Sequence, residues 1–399
     1  MISIEEALQI VESKVPLLYP GSEELRHARG RVLLEDIVAD MDIPPFDRSQ
    51  MDGFAVRASD LGTLPATLRI VGESVAGRGW DGDLKKGEAV RIMTGARVPN
   101  GADAVQIVEE TESDDTGVIV KSSVRTGANI VPMGSETKKG GLIFEKGRVV
   151  TSNMIPALAS FGVARISCRI SPRVSILATG SEIVDIEKTP QKDQIRNSNS
   201  WMLAELAKNC RANAKILPIA SDDLESLTEL VRHELPLCDI LIISGGVSVG
   251  DYDFTKPALE NAGAEIHFEK VALKPGKPTV FATHGNKLIF GLPGNPVSAA
   301  VTFLVFARNS ILRLQGASEA RLAESKAVMN HDVKGAKGRD SLLPVTLSTD
   351  EKGTRLVETI RFGGSSNFVR FADANGLVFV ARDVVVKKGE IATVYELPS

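Results

Sequence analysis

The chain has 399 residues, 43% hydrophobic and 25% charged, with a formal net charge of -4, which fits a soluble globular protein of about two to four domains. No block of Lys or Arg exceeds a few residues, which excludes a nonspecific nucleic-acid binder. No stretch reads as long and apolar enough to span a bilayer, and Met1-Ile-Ser-Ile-Glu-Glu6 lacks the basic-then-apolar order of a signal peptide, so no membrane role and a cytoplasmic location are expected.

Ser3-Ile-Glu-Glu6 is a capping box, with Ile4, Ala7, Leu8 and Val11 on one face, and predicts a helix over 3–15. From about 40 to 140 Gly and Pro recur between short β-branched runs, Leu68 to Val71, Ala89 to Met93, Ala104 to Val108 and Val118 to Lys121. That texture reads as a mostly β unit. A short strand and a helix near Ser152 to Phe161 follow.

Between about 171 and 315 strands and helices alternate. Val174 to Ala178 is a strand ending in Thr179-Gly180-Ser181-Glu182. Then come a helix over Ser198 to Asn209, a strand over Lys215 to Ile219 and a helix over Leu224 to Glu234. The strand Asp239 to Ile243 runs into Ser244-Gly245-Gly246-Val-Ser248-Val-Gly250, and a helix starts at Phe254. This pattern implies a parallel, doubly wound sheet, whose ligands bind beyond the carboxyl ends of its strands. The last part, about 318–399, is rich in strands and Gly turns and reads as a small β domain.

The strongest chemical signal is Gly291-Leu-Pro293-Gly294-Asn-Pro296-Val-Ser298 after Lys274-Pro-Gly-Lys277-Pro. An apolar strand, Lys287 to Leu292, breaks at Pro293-Gly294, and Asn295-Pro296 opens a helix. The bare N–H groups of a helix start attract anions, with Ser298 in the first turn and the two lysines nearby. Together they suggest a site for a small oxyanion. The glycines after Ser244 let the backbone approach a phosphate, and Asp251 or Asp253 is then a candidate Mg²⁺ ligand. Glu182 is a second candidate carboxylate, and Asp222 a third, although an acid in Ser221-Asp-Asp223 also suits a helix cap. The turn is not GxGxxG, so a dinucleotide fold is disfavoured.

Cys168, Cys210 and Cys238 lack CxxC spacing and read as buried reduced thiols. The five histidines are scattered, with neither HxxxH nor HExxH. Zinc chemistry and a histidine-activated nucleophile are therefore not expected. In the β unit, Pro44-Pro-Phe-Asp-Arg-Ser-Gln-Met51-Asp52-Gly-Phe54 stands out, with Met51 and Phe54 expected to be buried; Thr94-Gly95 is a second turn of note.

In these motifs, in this order, the chain resembles the molybdopterin molybdotransferase family, which also includes the C-terminal domain of gephyrin. The match runs through Pro45 to Val56, Thr94 to Asp103, Ser244 to Gly250, Lys274 to Pro278 and Gly291 to Ser298. The resemblance implies a molybdopterin-binding α/β domain (1–19 and 171–317), a linking domain (20–38 and 140–170), an inserted β domain (39–139) and a C-terminal β domain (318–399). It implies a head-to-tail homodimer, in which Asp52 and Thr94 serve the partner's site, and a substrate handed over by an adenylyltransferase. The implied reaction inserts molybdate into adenylylated molybdopterin with Mg²⁺-dependent release of AMP. Asp52, Thr94, Glu136, Glu182, Asp222 and Asp253 are then the catalytic residues, the last three holding the metal. Lys270, Lys274, Lys277, Ser298, Arg339, Ser365 and Ser366 bind molybdate or substrate. Gly180, Ser244, Gly245, Gly246, Ser248, Gly250, Pro293 and Pro296 hold phosphate and pterin. Two positions depart from the family pattern: Glu136 in place of an Asp, and Asn197 where some relatives carry Asp. The competing readings are a peptide-binding scaffold of the same fold and a related pterin adenylyltransferase.

Overall fold

A computed structural model describes residues 1–221, 223–247, 254–360 and 367–398. Of the candidates above, Asp222, Ser248, Gly250, Asp253, Ser365 and Ser366 lie outside the described residues, as does Asp251. The chain divides into two compact units: Met1–Glu35 with Lys146–Pro156 and Ala164–Ser399, and Asp36–Glu145 with Ala157–Val163.

The larger unit is built on a six-stranded sheet. Its strands are β1 (Arg173–Ala178), β2 (Asn213–Ile216), β3 (Ile240–Ser244), β4 (Glu265–Phe268), β5 (Val280–His284) and β6 (Lys287–Leu292). They lie in the order β2-β1-β3-β6-β5-β4. The first four are mutually parallel, as the alternation of strands and helices predicts. β5 runs against its neighbours, because β5 and β6 form a hairpin around Gly285-Asn286, a two-residue connection suited to a tight turn.

Helices cover both faces. Successive strand residues point to opposite sides. Ile240 and Ile242 therefore pack with α1 (Ile4–Lys14), α2 (Asn199–Asn209) and α5 (Pro296–Leu314). Leu241 and Ile243 pack with α3 (Leu224–Glu234) and α4 (Thr255–Asn261). Burial on both sides is why these strands read as continuous apolar runs. The capping box of α1 is present: Ser3 Oγ accepts from Glu6 N–H at 3.1 Å, and Glu6 returns the bond to Ser3 N–H at 2.8 Å.

One expectation from the sequence is corrected here. α5 is long and apolar enough, by length and composition, to cross a bilayer, yet 89% of its apolar 18-residue window is buried inside the fold. Its apolarity is that of a core helix touching the sheet and α1. A π turn, Phe303–Ala307, lies in its middle.

The C-terminal part of this unit is a small barrel. Strands Glu324–Met329, Asp340–Thr349, Arg355–Thr359, Gly376–Val380 and Ile391–Glu396 pair in a closed ring around Val345, Val357, Val378 and Val394. Leu273–Lys274 adds to the start of the Asp340 strand. Cys168, Cys210 and Cys238 are buried and free, and burial pushes the thiols of Cys210 and Cys238 up to about 11.

The smaller unit contains a six-stranded sheet with the order Ala104–Ile107, Gly53–Val56, Glu88–Ile92, Ala66–Ser74, Gly117–Val120, Thr111–Ser113. Gly53 is required by closeness: a Cβ there would lie 1.9 Å from the Gln106 carbonyl oxygen. Phe54 is buried as expected, but Met51 is 40% exposed, because the chain enters the sheet only at Gly53.

Candidate active site

From β1 the chain crosses to β2 on one side and then returns past β1 to β3 on the other. The carboxyl ends of β1 and β3 therefore flank the switch point where a doubly wound sheet holds its ligands. A cavity of about 980 Å³ opens at this edge. Its walls are the turns after β1, β3 and β6, the segment entering α2, and Phe368 from the C-terminal part.

The glycines of these turns are there for space. Gly246 has φ 62°, and a Cβ on it would lie 2.8 Å from Thr255 Oγ1. A Cβ on Gly245 would lie 2.6 Å from the Thr179 carbonyl oxygen. Gly245 N–H donates to the Leu292 carbonyl at 3.1 Å, tying the end of β3 to the end of β6. Gly180, with φ 144°, has the Glu182 carboxylate packed over it. A floor of backbone without side chains admits a phosphate group closely.

Asn199 holds the floor together. Its Nδ2 donates to Ser244 Oγ at 2.9 Å and to the Gly294 carbonyl at 2.7 Å. Because a carbonyl only accepts, the second bond fixes which end of the amide faces it. Its Oδ1 is buried with no partner among the described residues. A flap of two short strands, Ile183–Val184 and Ile195–Arg196, forms a further wall.

Of the residues expected from the sequence, Gly180, Glu182, Ser244, Gly245, Gly246, Pro293 and Pro296 line this one cavity. The described lining omits Lys270, Lys274, Lys277, Ser298 and Arg339. Ser298 does stand in the first turn of α5 but is buried, 4% exposed. Asn295 takes the extended conformation of an N-cap, yet its side chain makes no capping bond, so the helix start keeps its N–H groups free of that partner.

Lys274, Lys277 and Arg339 form a second neighbourhood. Gly276 lets the lysine turn pack on α5: a Cβ there would lie 2.4 Å from Thr302 Cγ2, one helical turn beyond Ser298. Lys274 pairs with Ser341, and Leu273 with Asp340, which brings Arg339 alongside. Lys270 precedes Val271, whose N–H donates to the Lys277 carbonyl at 3.0 Å, and its own carbonyl accepts from Ile2 N–H at 3.2 Å.

In the smaller unit Asp52 Oδ1 accepts from Thr94 N–H at 2.6 Å, and both residues are exposed. Glu136 is 3.4 Å from Arg48, on the strand Arg48–Ser49 that leads into the same loop. The three candidates of that unit thus share one loop cluster.

Among the described residues no group of three or more His, Cys, Asp or Glu is arranged to hold a metal. Glu182, an exposed carboxylate on the cavity wall, has the oxygen chemistry a hard cation takes. Asp223 is the N-cap of α3, its Oδ2 accepting from Ser226 N–H at 2.8 Å, and that bond holds its carboxyl below the usual range. The reading of the sequence missed Arg196, Asn199 and Phe368 as cavity residues. The segment Gln194 to Ser200 offered the only signal, two asparagines beside serines at a helix start.

A glycine-floored cavity at the switch point is the ligand site of a doubly wound α/β protein. Comparisons with known proteins specify which. Residues 2–162 match the MoeA N-terminal region (domain I and II), 175–313 a probable molybdopterin binding domain, and 326–397 the MoeA C-terminal region (domain IV). The chain is 34% identical to the molybdopterin molybdenumtransferase of Haemophilus influenzae, over 99% of this chain and 98% of that one. It is 33% identical to that of Staphylococcus epidermidis, over 95% and 91%. The crystal structure of the molybdopterin biosynthesis moeA protein from Pyrococcus horikoshii OT3 superimposes with a TM-score of 0.83 at 27% identity, covering all of both chains. The chain belongs to the molybdopterin molybdenumtransferase (MoeA) family, and it is a transferase.

Proposed function

We propose that this enzyme inserts molybdate into adenylylated molybdopterin, breaking the phosphoanhydride and releasing AMP. The observation that carries the reading is the cavity whose glycine floor and the one acid of its described lining, Glu182, lie within the region matching a molybdopterin-binding domain. Water attacks the adenylyl phosphorus and the pterin phosphate leaves, giving AMP; where a molybdate oxygen attacks first, water then hydrolyses the adenylyl molybdate to AMP and returns the molybdate. The Gly245–Gly246 turn admits the phosphates, Asn199 holds that turn against Gly294, and Glu182 orients the charged linkage. Mg²⁺ would be held by Glu182 together with Asp222 and Asp253, and it would supply charge neutralisation at the anhydride. Molybdate, a tetrahedral dianion, suits Lys274, Lys277 and Arg339 near the start of α5, with Lys270, Ser365 and Ser366 as further contacts.

We place the enzyme in the cytoplasm as a head-to-tail homodimer, receiving its substrate from an adenylyltransferase. The exposed Asp52–Thr94 pair would then serve the cavity of the partner subunit. A match over the full length, including the MoeA N- and C-terminal regions, favours this reading over a lone pterin adenylyltransferase. Carboxylate and glycine cradle in one cavity favour an enzyme over a peptide scaffold. The test is AMP release from adenylylated molybdopterin and Mg²⁺, with and without molybdate. Release that ignores molybdate would refute the transferase reading.

A further inference from the structure

The switch-point cavity carries one charge of each sign in its described lining, the acid Glu182 and the cation Arg196. The lysines singled out in the sequence are absent from that lining. Arg196 sits at the end of the flap strand Ile195–Arg196. Its Nε donates to the Lys188 carbonyl at 3.1 Å, which fixes the guanidinium plane against the flap. None of the ion pairs among the described residues includes Arg196, and its two terminal nitrogens have no hydrogen-bond partner there. Several exposed arginines among the described residues differ: Arg69, Arg165, Arg321 and Arg382 all pair with carboxylates.

An arginine held at Nε and open at both terminal nitrogens presents a fork to a phosphate or carboxylate. The glycine floor beside it takes the same class of group. We propose that Arg196 is a substrate-binding residue that grips the adenylyl phosphate of the phosphoanhydride, with the flap as its carrier. This rests on the functional reading above, which supplies a phosphoanhydride substrate. The two lysines and Arg339, which are outside that lining, are then left to the smaller oxyanion.

The experiment titrates wild type and Arg196→Gln with AMP and with adenosine by calorimetry. Arg196 is exposed, so the variant is expected to fold with an unchanged melting temperature. Wild type should bind AMP more tightly than adenosine. In Arg196→Gln the AMP affinity should fall by roughly ten- to hundredfold, with adenosine unaffected. Arg196→Lys should recover only part, since a point charge replaces a fork. Equal AMP affinity in wild type and Arg196→Gln would overturn the assignment, as would a parallel loss for adenosine. Failure of the functional reading looks different: wild type would then bind AMP through Arg196 and still show no molybdate-dependent turnover.

Discussion

The Asp52 carboxylate and the Thr94 backbone N–H meet at 2.6 Å, closing the loop before the strand Gly53–Val56 onto the turn after the strand Glu88–Ile92. Two motifs 42 residues apart in sequence thereby become one exposed feature. A charge-assisted bond at an exposed site is a modest source of stability, about 1 kcal/mol. Its position and exposure fit a role in chemistry better than a role in folding.

Asp52→Ala should therefore leave the protein folded and lower molybdate-dependent AMP release by at least about tenfold. Asp52→Asn keeps an acceptor for Thr94 N–H but removes the charge. If the charge serves the reaction, both variants lose turnover while only Asp52→Ala loses stability. Paired rate and thermal-melt measurements decide it, and full activity in Asp52→Asn would remove the charge from the mechanism.

Glu182→Gln tests the metal assignment. The residue is exposed, so the melting temperature should stay put. The Mg²⁺ concentration for half-maximal AMP release should rise by at least about tenfold, since a hard cation loses a charged ligand. An unchanged Mg²⁺ titration would take Glu182 out of the metal site.

Gly276→Ala probes the packing of the lysine turn on α5. The new methyl would approach Thr302 Cγ2 to 2.4 Å, at a φ of +118° that L residues avoid. Loss of about 1–3 kcal/mol is expected, read by urea unfolding. Molybdate should bind more weakly as the lysines shift. Thr302→Ser in the same chain, which removes the clashing methyl, should return part of the stability.

Acid stability should depend on Asp239. Burial acts to raise its carboxyl, but its bonds to Arg173 side chain and backbone, and the charge of Lys287, outweigh that and lower it. A lowered folded-state value means stability fully present above the unfolded value, about 3.9, and lost as pH falls through the folded one. At pH 7 Asp239→Asn should lose about 1–3 kcal/mol. That gap should narrow below about pH 4. A pH-independent gap in urea titrations would argue against the linkage.

Much of the α/β unit was legible because its strands are buried on both faces and its helices carry clear ends. The capping box at Ser3, the turn at Pro293-Gly294 and the break after Ser244 all survive in the structure. The hairpin that reverses β5 was not legible: the apolar run Lys287 to Leu292 reads as a strand, but Val280–His284, which pairs with it, went unnamed. Nor was the strand Gly53–Val56, hidden inside a motif that looked like a loop. In the site, glycine turns announced themselves through conformation. Arg196, Asn199 and Phe368 did not, because their importance comes from three-dimensional closeness to turns rather than from local pattern; Asn199, for example, meets Ser244 and Gly294, 45 and 95 residues away. Asp222, Ser248, Gly250, Asp253, Ser365 and Ser366 fall outside the described residues.

The three unpaired cysteines supply a built-in reporter. All of them belong to the larger unit, and none lies in Asp36–Glu145 or Ala157–Val163. With Cys210 and Cys238 held as neutral thiols, alkylating reagents should ignore the native enzyme and label it only as its core opens. Labelling rates in increasing denaturant would then follow the larger unit alone, and Trp80 fluorescence, read in a Trp201→Phe background, would follow the smaller β-rich unit.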